Sequence, residues 1–231
     1  MSGGIPQVLA NDANSLIWWD WVARNSDDIW ERTIQHLELT ALTMLIGIVI
    51  SALLSAVAVK LRVTATPILW GTGLLYTIPS IALFGFLVPR LGLGTSTALV
   101  ALVLYTLVVL VRNMIAGMEG VPATVREAAT GMGLRPWRRF WSVELPLALP
   151  TIMAGIRIAT VGTVGLVTIS ALVGEGGYGA LINMGLSRDN FPTPIVIGAG
   201  LSIVMALLLD LALWGVQRQL TPWSRAAAVG T

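Results

Sequence analysis

Cysteine is missing from this sequence, which removes disulfides, thiolate metal sites and cysteine nucleophiles together. Lysine occurs once, as Lys60, and histidine once, as His36. A phosphate-binding P-loop needs a lysine after its second glycine to reach the β- and γ-phosphates. Lys60 lies in AVAVKLRVT, with no such glycines before it, so the chain has no route of that kind to hydrolyse ATP alone. A histidine triad or zinc site would have one ring to build on, and a lone histidine beside a membrane is expected to be solvated or interfacial. Charge is scarce as well. Only 11% of the 231 residues are charged and 55% are hydrophobic, against roughly 25% charged in soluble domains. That is too little charge to clothe a water-facing surface, and the fitting class is a polytopic membrane protein. The net charge of +2 is arginine-borne and too small to suggest a nucleic-acid partner.

The opening MSGGIPQVLANDANS has no basic segment ahead of an apolar core, so no cleavable signal peptide is expected. Trp18, Trp19, Trp21 and Trp30 read as interfacial anchors. Residues 26–36 read as a short amphipathic helix lying on the membrane, with Ile29, Trp30, Ile34 and Leu37 turned inward. Five apolar runs follow, at residues 39–59, 67–88, 95–111, 147–173 and 194–214. Each is near the length of about 20 residues that crosses the hydrocarbon. Pro79 breaks the second run internally, and Gly71, Gly73 and Gly85 suit it to close helix contacts. A turn is expected over residues 89–94, and a glycine-rich loop over residues 174–192.

Five spans put the termini on opposite sides. One side would then carry nine basic residues (Lys60, Arg62, Arg112, Arg126, Arg135, Arg138, Arg139, Arg218 and Arg225), and the other four (Arg24, Arg32, Arg90 and Arg188). By the positive-inside rule the N-terminus lies outside and residues 122–146 are cytoplasmic. That segment is the long polar interruption of the second half. Pro122 suits a first helical position, and Gly131 and Gly133 supply a stop. Pro136 opens a second turn with Trp137, Phe140 and Trp141 on one face, and Pro146 closes it. The product is a helix–glycine turn–helix hairpin, basic on one side and aromatic on the other.

Chemistry-bearing residues inside the runs are few. Arg157 and Asp210 are the ionisable ones, and snorkelling or structural pairing accounts for them. A proton-coupled transporter would show a relay of several intramembrane acids or histidines. Tyr76, Pro79, Ser80 and Phe84 on the second run are candidates for a substrate pathway, with packing as the alternative, since cation–π capture needs several converging rings. Glu175 and Tyr178, in GEGGYG, belong either to a simple turn or to an outer gate and docking surface. No metal constellation is visible.

At the hairpin, Glu127-Ala128-Ala129, three residues, Gly133, nine residues and then Val143-Glu144-Leu145-Pro146 resemble the EAA signature of ABC-importer permeases. Val143 replaces the signature's isoleucine, a conservative departure. The stretches YTIPSIALFGFLVPRLGLG, VRNMIAGMEGV, REAATGMGLRPWRRFWSVELPLALPTIMAGIRIATV and LVGEGGYGALINMGL resemble the permeases of osmoprotectant importers for glycine betaine, carnitine or choline. The resemblance covers roughly residues 36–218 and implies an all-α integral membrane protein of about five transmembrane helices with the type I ABC-importer permease fold. The N-terminus would be outside and the C-terminus cytoplasmic. Its parts would be an extracytoplasmic or interfacial segment (1–36), a permease domain (37–218) containing the cytoplasmic coupling hairpin (122–146), and a cytoplasmic tail (219–231).

The resemblance also implies partners: two ATP-binding subunits that carry the ATP and Mg, a second copy or a similar permease, and an extracytoplasmic substrate-binding protein. This chain would hold no cofactor. Glu127, Ala128, Ala129, Gly133, Arg135, Leu145 and Pro146 would then form the coupling site that docks on the ATPase. The hairpin arginines either contact an acidic ATPase rim or follow the positive-inside rule. An ABC permease for methionine or another amino acid shares the signature, and a secondary transporter working alone is the alternative of a different class.

Overall fold

The structure, a computed structural model, describes residues 16–174, 176–188 and 191–223. Among these residues every regular element is helical: α1 (Trp19–Arg24), α2 (Ser26–Lys60), α3 (Ala65–Thr77), α4 (Ser80–Leu91), α5 (Thr95–Glu119), α6 (Ala123–Gly131), α7 (Pro136–Arg139), α8 (Leu145–Ile169), α9 (Tyr178–Ser187) and α10 (Pro192–Leu220). Four stretches are long and apolar enough to cross a bilayer: Ser26–Lys60, Thr95–Glu119, Pro136–Val173 and Pro192–Leu220. The helices over Arg62–Thr77 and Ser80–Leu91 make a further crossing if they count as one span, bent by 95°. The bend follows from Pro79, which has no N–H and holds Ile78 in extended backbone at φ −70, ψ 126.

α2 shows why the chain folds in lipid. Its buried face carries His36, Thr40, Thr43, Gly47, Ser51, Ser55 and Ala58, while Leu45, Val49, Leu53 and Val57 are exposed. The pattern recurs at helical spacing with small and polar residues inside and aliphatics outside, the reverse of a soluble helix. The surface helix expected over residues 26–36 is not separate. It forms the first turns of this 35-residue helix, and Trp30, Ile34 and Leu37 are exposed. Of the expected anchors, Trp18 and Trp21 pack edge-on against Phe191 at 6.3 and 5.8 Å, whereas Trp19 and Trp30 remain exposed.

Helix ends fall later than charge and proline suggest. α4 runs through Pro89 and Arg90 to Leu91, and the chain turns only at Gly92 and Gly94, whose φ values are +79 and +116. α5 continues past Arg112 and Asn113 to Glu119. Arginine marks where hydrocarbon ends, and a helix needs no such limit. Gly71, Gly73 and Gly85 have no atom of this chain within 4 Å of where a Cβ would stand, so the close contacts expected of them are not made within the chain.

The chain divides into two compact units. One comprises Thr43–Pro79, Leu102–Thr163 and Leu207–Thr231. Its core places Val103, Leu107, Val111 and Ile115 of α5 against Ala58 and Leu54 of α2 and Ile68 and Leu69 of α3. A Cβ on Gly47 would lie 2.5 Å from the Thr106 hydroxyl oxygen, which marks the tight approach of α2 to α5. Arg157 Nε and Nη2 each donate to Asp210 at 2.8 Å, so the two intramembrane charges pair with each other.

The other unit comprises Met1–Leu42, Ser80–Ala101 and Val164–Ala206. Much of the glycine-rich loop expected over residues 174–192 is here the helix α9, with Tyr178, Gly179, Leu181 and Gly185 buried. Glycines of α9 and of the facing α10 serve contact. A Cβ on Gly198 would stand 2.8 Å from the Tyr178 carbonyl oxygen, and one on Gly185 2.7 Å from that of Phe191. His36, expected to be solvated or interfacial, is fully buried. The Tyr178 amide donates to its Nδ1 at 3.3 Å, so Nε2 carries the proton and donates to the Val164 carbonyl at 3.1 Å.

Candidate functional site

The hairpin begins where Pro122 caps α6 and ends in a rod. Gly133 at φ +78 terminates α6: its amide donates to Thr130 O at 2.9 Å, and the Leu134 amide to Ala129 O at 3.2 Å. These two bonds are the Schellman closure, which needs a left-handed residue at the position Gly133 occupies. Arg126 anchors the helix from below through an Nη2 bond to the Met118 carbonyl at the end of α5.

Pro136 opens α7, as the sequence indicates. Pro146 does not close the segment. α7 passes through a π-turn, Phe140–Glu144, directly into α8. Proline at 146 lacks an N–H and would press on the carbonyl four residues back, and the wider π-turn just before it relieves that conflict. Trp137, Phe140 and Trp141 cluster as expected, with ring centroids 5.2–6.5 Å apart. Trp137 is 72% exposed and Trp141 51%.

Arg139 is held by partners within the chain. Its Nε donates to Glu144 at 2.6 Å and its Nη1 to the Thr130 hydroxyl at 2.9 Å. It therefore ties the end of α6 to the π-turn, and its charge is met by the buried Glu144 carboxylate. Of the coupling residues, Glu127, Ala128, Gly133 and Arg135 are exposed, Leu145 and Pro146 are half-buried, and Ala129 is buried within the chain. Ala129 thus faces its own protein, and Ala128 is the small residue open to a partner.

Tyr76 and Pro79 fall in one compact unit, and Ser80 and Phe84 in the other. Tyr76 is exposed and edge-on to Tyr105 at 5.8 Å, whereas Phe84 is buried as packing. Tyr105, which the sequence does not single out, donates its hydroxyl to the Ile78 carbonyl at the bend. Tyr178 is buried at 2% exposure, and Glu175 lies outside the described residues. Glu144 and His36 are further residues that sequence reasoning passes over. Arg139 and Glu144 stand five apart, an offset with no meaning on a regular α-helix, and the partners of His36 lie more than a hundred residues away.

Comparison with known proteins places this architecture. Residues 47–221 match the family described as "Binding-protein-dependent transport system inner membrane component". The osmoprotectant import permease protein OsmW of Salmonella typhimurium is 40% identical over 195 residues, covering 82% of this chain and 90% of that protein. The glycine betaine/carnitine/choline transport system permease protein OpuCB of Bacillus subtilis is 32% identical, covering 86% and 91%. Among solved structures, an amino acid ABC transporter superposes with a TM-score of 0.71 over 86% of this chain and 96% of that one, at 16% identity. That likeness speaks for the fold. Matched over most of its length, this chain belongs to the family of binding-protein-dependent transport system inner membrane components, the permeases of ABC importers.

Proposed function

We propose that this chain is the permease subunit of an ATP-driven importer of quaternary-amine osmoprotectants such as glycine betaine, carnitine or choline. The observation that carries the reading is the hairpin. The full signature spacing is folded into a braced unit that leaves Glu127, Ala128, Gly133 and Arg135 on its outer surface. The relatives named for osmoprotectant transport support the substrate class. On this reading two ATP-binding subunits, carrying ATP and Mg, dock on the hairpin from the cytoplasm. A second permease copy or a similar permease completes the pathway, and an extracytoplasmic binding protein delivers the substrate. The hairpin does no chemistry of its own and converts nucleotide-driven closure into alternating access.

The test is uptake of labelled glycine betaine by cells whose other osmoprotectant systems are deleted. Uptake should require the ATPase partner and be competed by choline or carnitine but not by methionine. Glu127→Arg, on the exposed face, should abolish uptake while the chain still inserts in the membrane. Wild-type uptake in cells without any ATPase partner would sink the importer reading, and competition by methionine alone would move the substrate class to amino acids.

A further inference from the structure

Behind the hairpin lies a cavity of about 820 Å³ whose occupant is not assigned by the reading above. Four elements line it: the C-terminal part of α2 through Ala52, Ala56 and Lys60, α5 through Met114 and Met118, the aromatic face of the hairpin through Trp137 and Trp141, and α8 through Ile152. Its walls are overwhelmingly apolar. Two charges of opposite sign on the wall, Arg139 and Glu144, are paired with each other at 2.6 Å. That leaves Lys60, exposed and without an ion pair or hydrogen bond among the described residues, as the uncompensated charge on the wall.

We propose that this cavity is a binding site for an anionic phospholipid, with an acyl chain between α2 and the hairpin and the headgroup on Lys60. Three properties select that occupant. Apolar walls at the end of a membrane-crossing helix fit a hydrocarbon chain. Indole rings such as Trp137 and Trp141 favour the level where headgroups meet hydrocarbon. A single uncompensated cation on the wall favours a negative headgroup over a zwitterionic one. An extended peptide segment would bring backbone polar groups that these walls cannot satisfy. The site lies directly against the hairpin, so membrane composition would bear on the element that couples the permease to its partner.

The test uses the assembled transporter, equilibrated in nanodiscs of equal phosphatidylglycerol and phosphatidylcholine, re-purified in detergent and assayed for retained lipid by mass spectrometry. Phosphatidylglycerol should be retained in excess. Lys60→Gln should reduce that excess by about fivefold, the effect of one cation near an anionic surface, and Lys60→Arg should keep it. The chain contains no cysteine, so Ala56→Cys offers a single labelling site on the cavity wall. A bulky thiol reagent there should displace the lipid, whereas the same reagent at Leu207→Cys, on the exposed face of α10, should not. Equal retention of the two lipids, an excess unchanged by Lys60→Gln, or no displacement at Ala56→Cys would each overturn the proposal. Oxidative linkage of two Ala56→Cys chains would overturn it in favour of a second copy as the occupant. None of these readouts depends on transport, so the outcome is separate from that of the uptake test.

Discussion

His36 holds two backbone groups from distant segments, and only one tautomer serves both: Nδ1 bare toward the Tyr178 amide, Nε2 protonated toward the Val164 carbonyl. Glutamine carries an acceptor and a donor on one side chain, whereas leucine offers neither. His36→Leu should therefore destabilise the purified protein by about 1–3 kcal/mol, the cost of stranding a buried polar group, and His36→Gln by less. Melting in detergent checks the order; equal melting of the two variants would show that the ring acts by volume alone. Arg139 and Glu144 form a second such pair, with side chains 28% and 10% exposed. Arg139→Ala leaves a carboxylate in a largely dry site and should cost about 2 kcal/mol, discounted from a fully buried pair for the partial exposure. The double variant Arg139→Ala with Glu144→Ala should be closer to the parent than the sum of the singles, as coupled neighbours are. Strict additivity would mean the pair does not brace the hairpin.

Among the elements, the hairpin poses the sharpest contrast between two glycines. Neither Gly131 nor Gly133 has an atom within 4 Å of where a Cβ would stand, but only Gly133 has positive φ. Gly131→Ala should be neutral or stabilising by up to about 0.5 kcal/mol, while Gly133→Ala should cost about 1–2 kcal/mol through its left-handed backbone. Thermal melts of the two variants decide it. This element is legible in the sequence because its determinants are local: a proline at each start, a glycine at the stop and rings at helical spacing. The same local reasoning reads residues 174–192 as a loop, because glycine is flexible when nothing touches it. In the fold, Gly185 and Gly198 are contact points for α9, and contact across long separations leaves no local mark. The joining of α7 to α8 is hidden for a related reason. Pro146 reads as a stop unless the widened turn before it is known. The coupling residues can be named from the signature, but that Ala129 is turned inward and Ala128 outward emerges only from packing.

For the whole molecule, the Arg157–Asp210 pair links α8 to α10, and Gln217 extends it by accepting from Arg157 at 3.3 Å. Either residue alone in hydrocarbon costs about 3 kcal/mol. Arg157→Leu should therefore lower the yield of folded, monodisperse protein, and exchanging the two charges (Arg157→Asp with Asp210→Arg) should restore part of it. Size-exclusion profiles give the comparison. A swap no better than the single variant would show that Gln217, itself donating to the Pro150 carbonyl, defines the orientation of the pair. The long apolar helices and their order are readable from hydropathy, since lipid demands them. The division into two units is not, because the chain passes between them within its helices. Four of those passages, at residues 42–43, 101–102, 163–164 and 206–207, lie inside α2, α5, α8 and α10. The fifth is at Pro79, between α3 and α4. A helix resists bending along its whole hydrogen-bonded length, whereas the chain at Pro79 has no ladder to break. Pro79 is thus the one passage made outside a helix, and the Tyr105 hydroxyl donates to the carbonyl of Ile78 just before it.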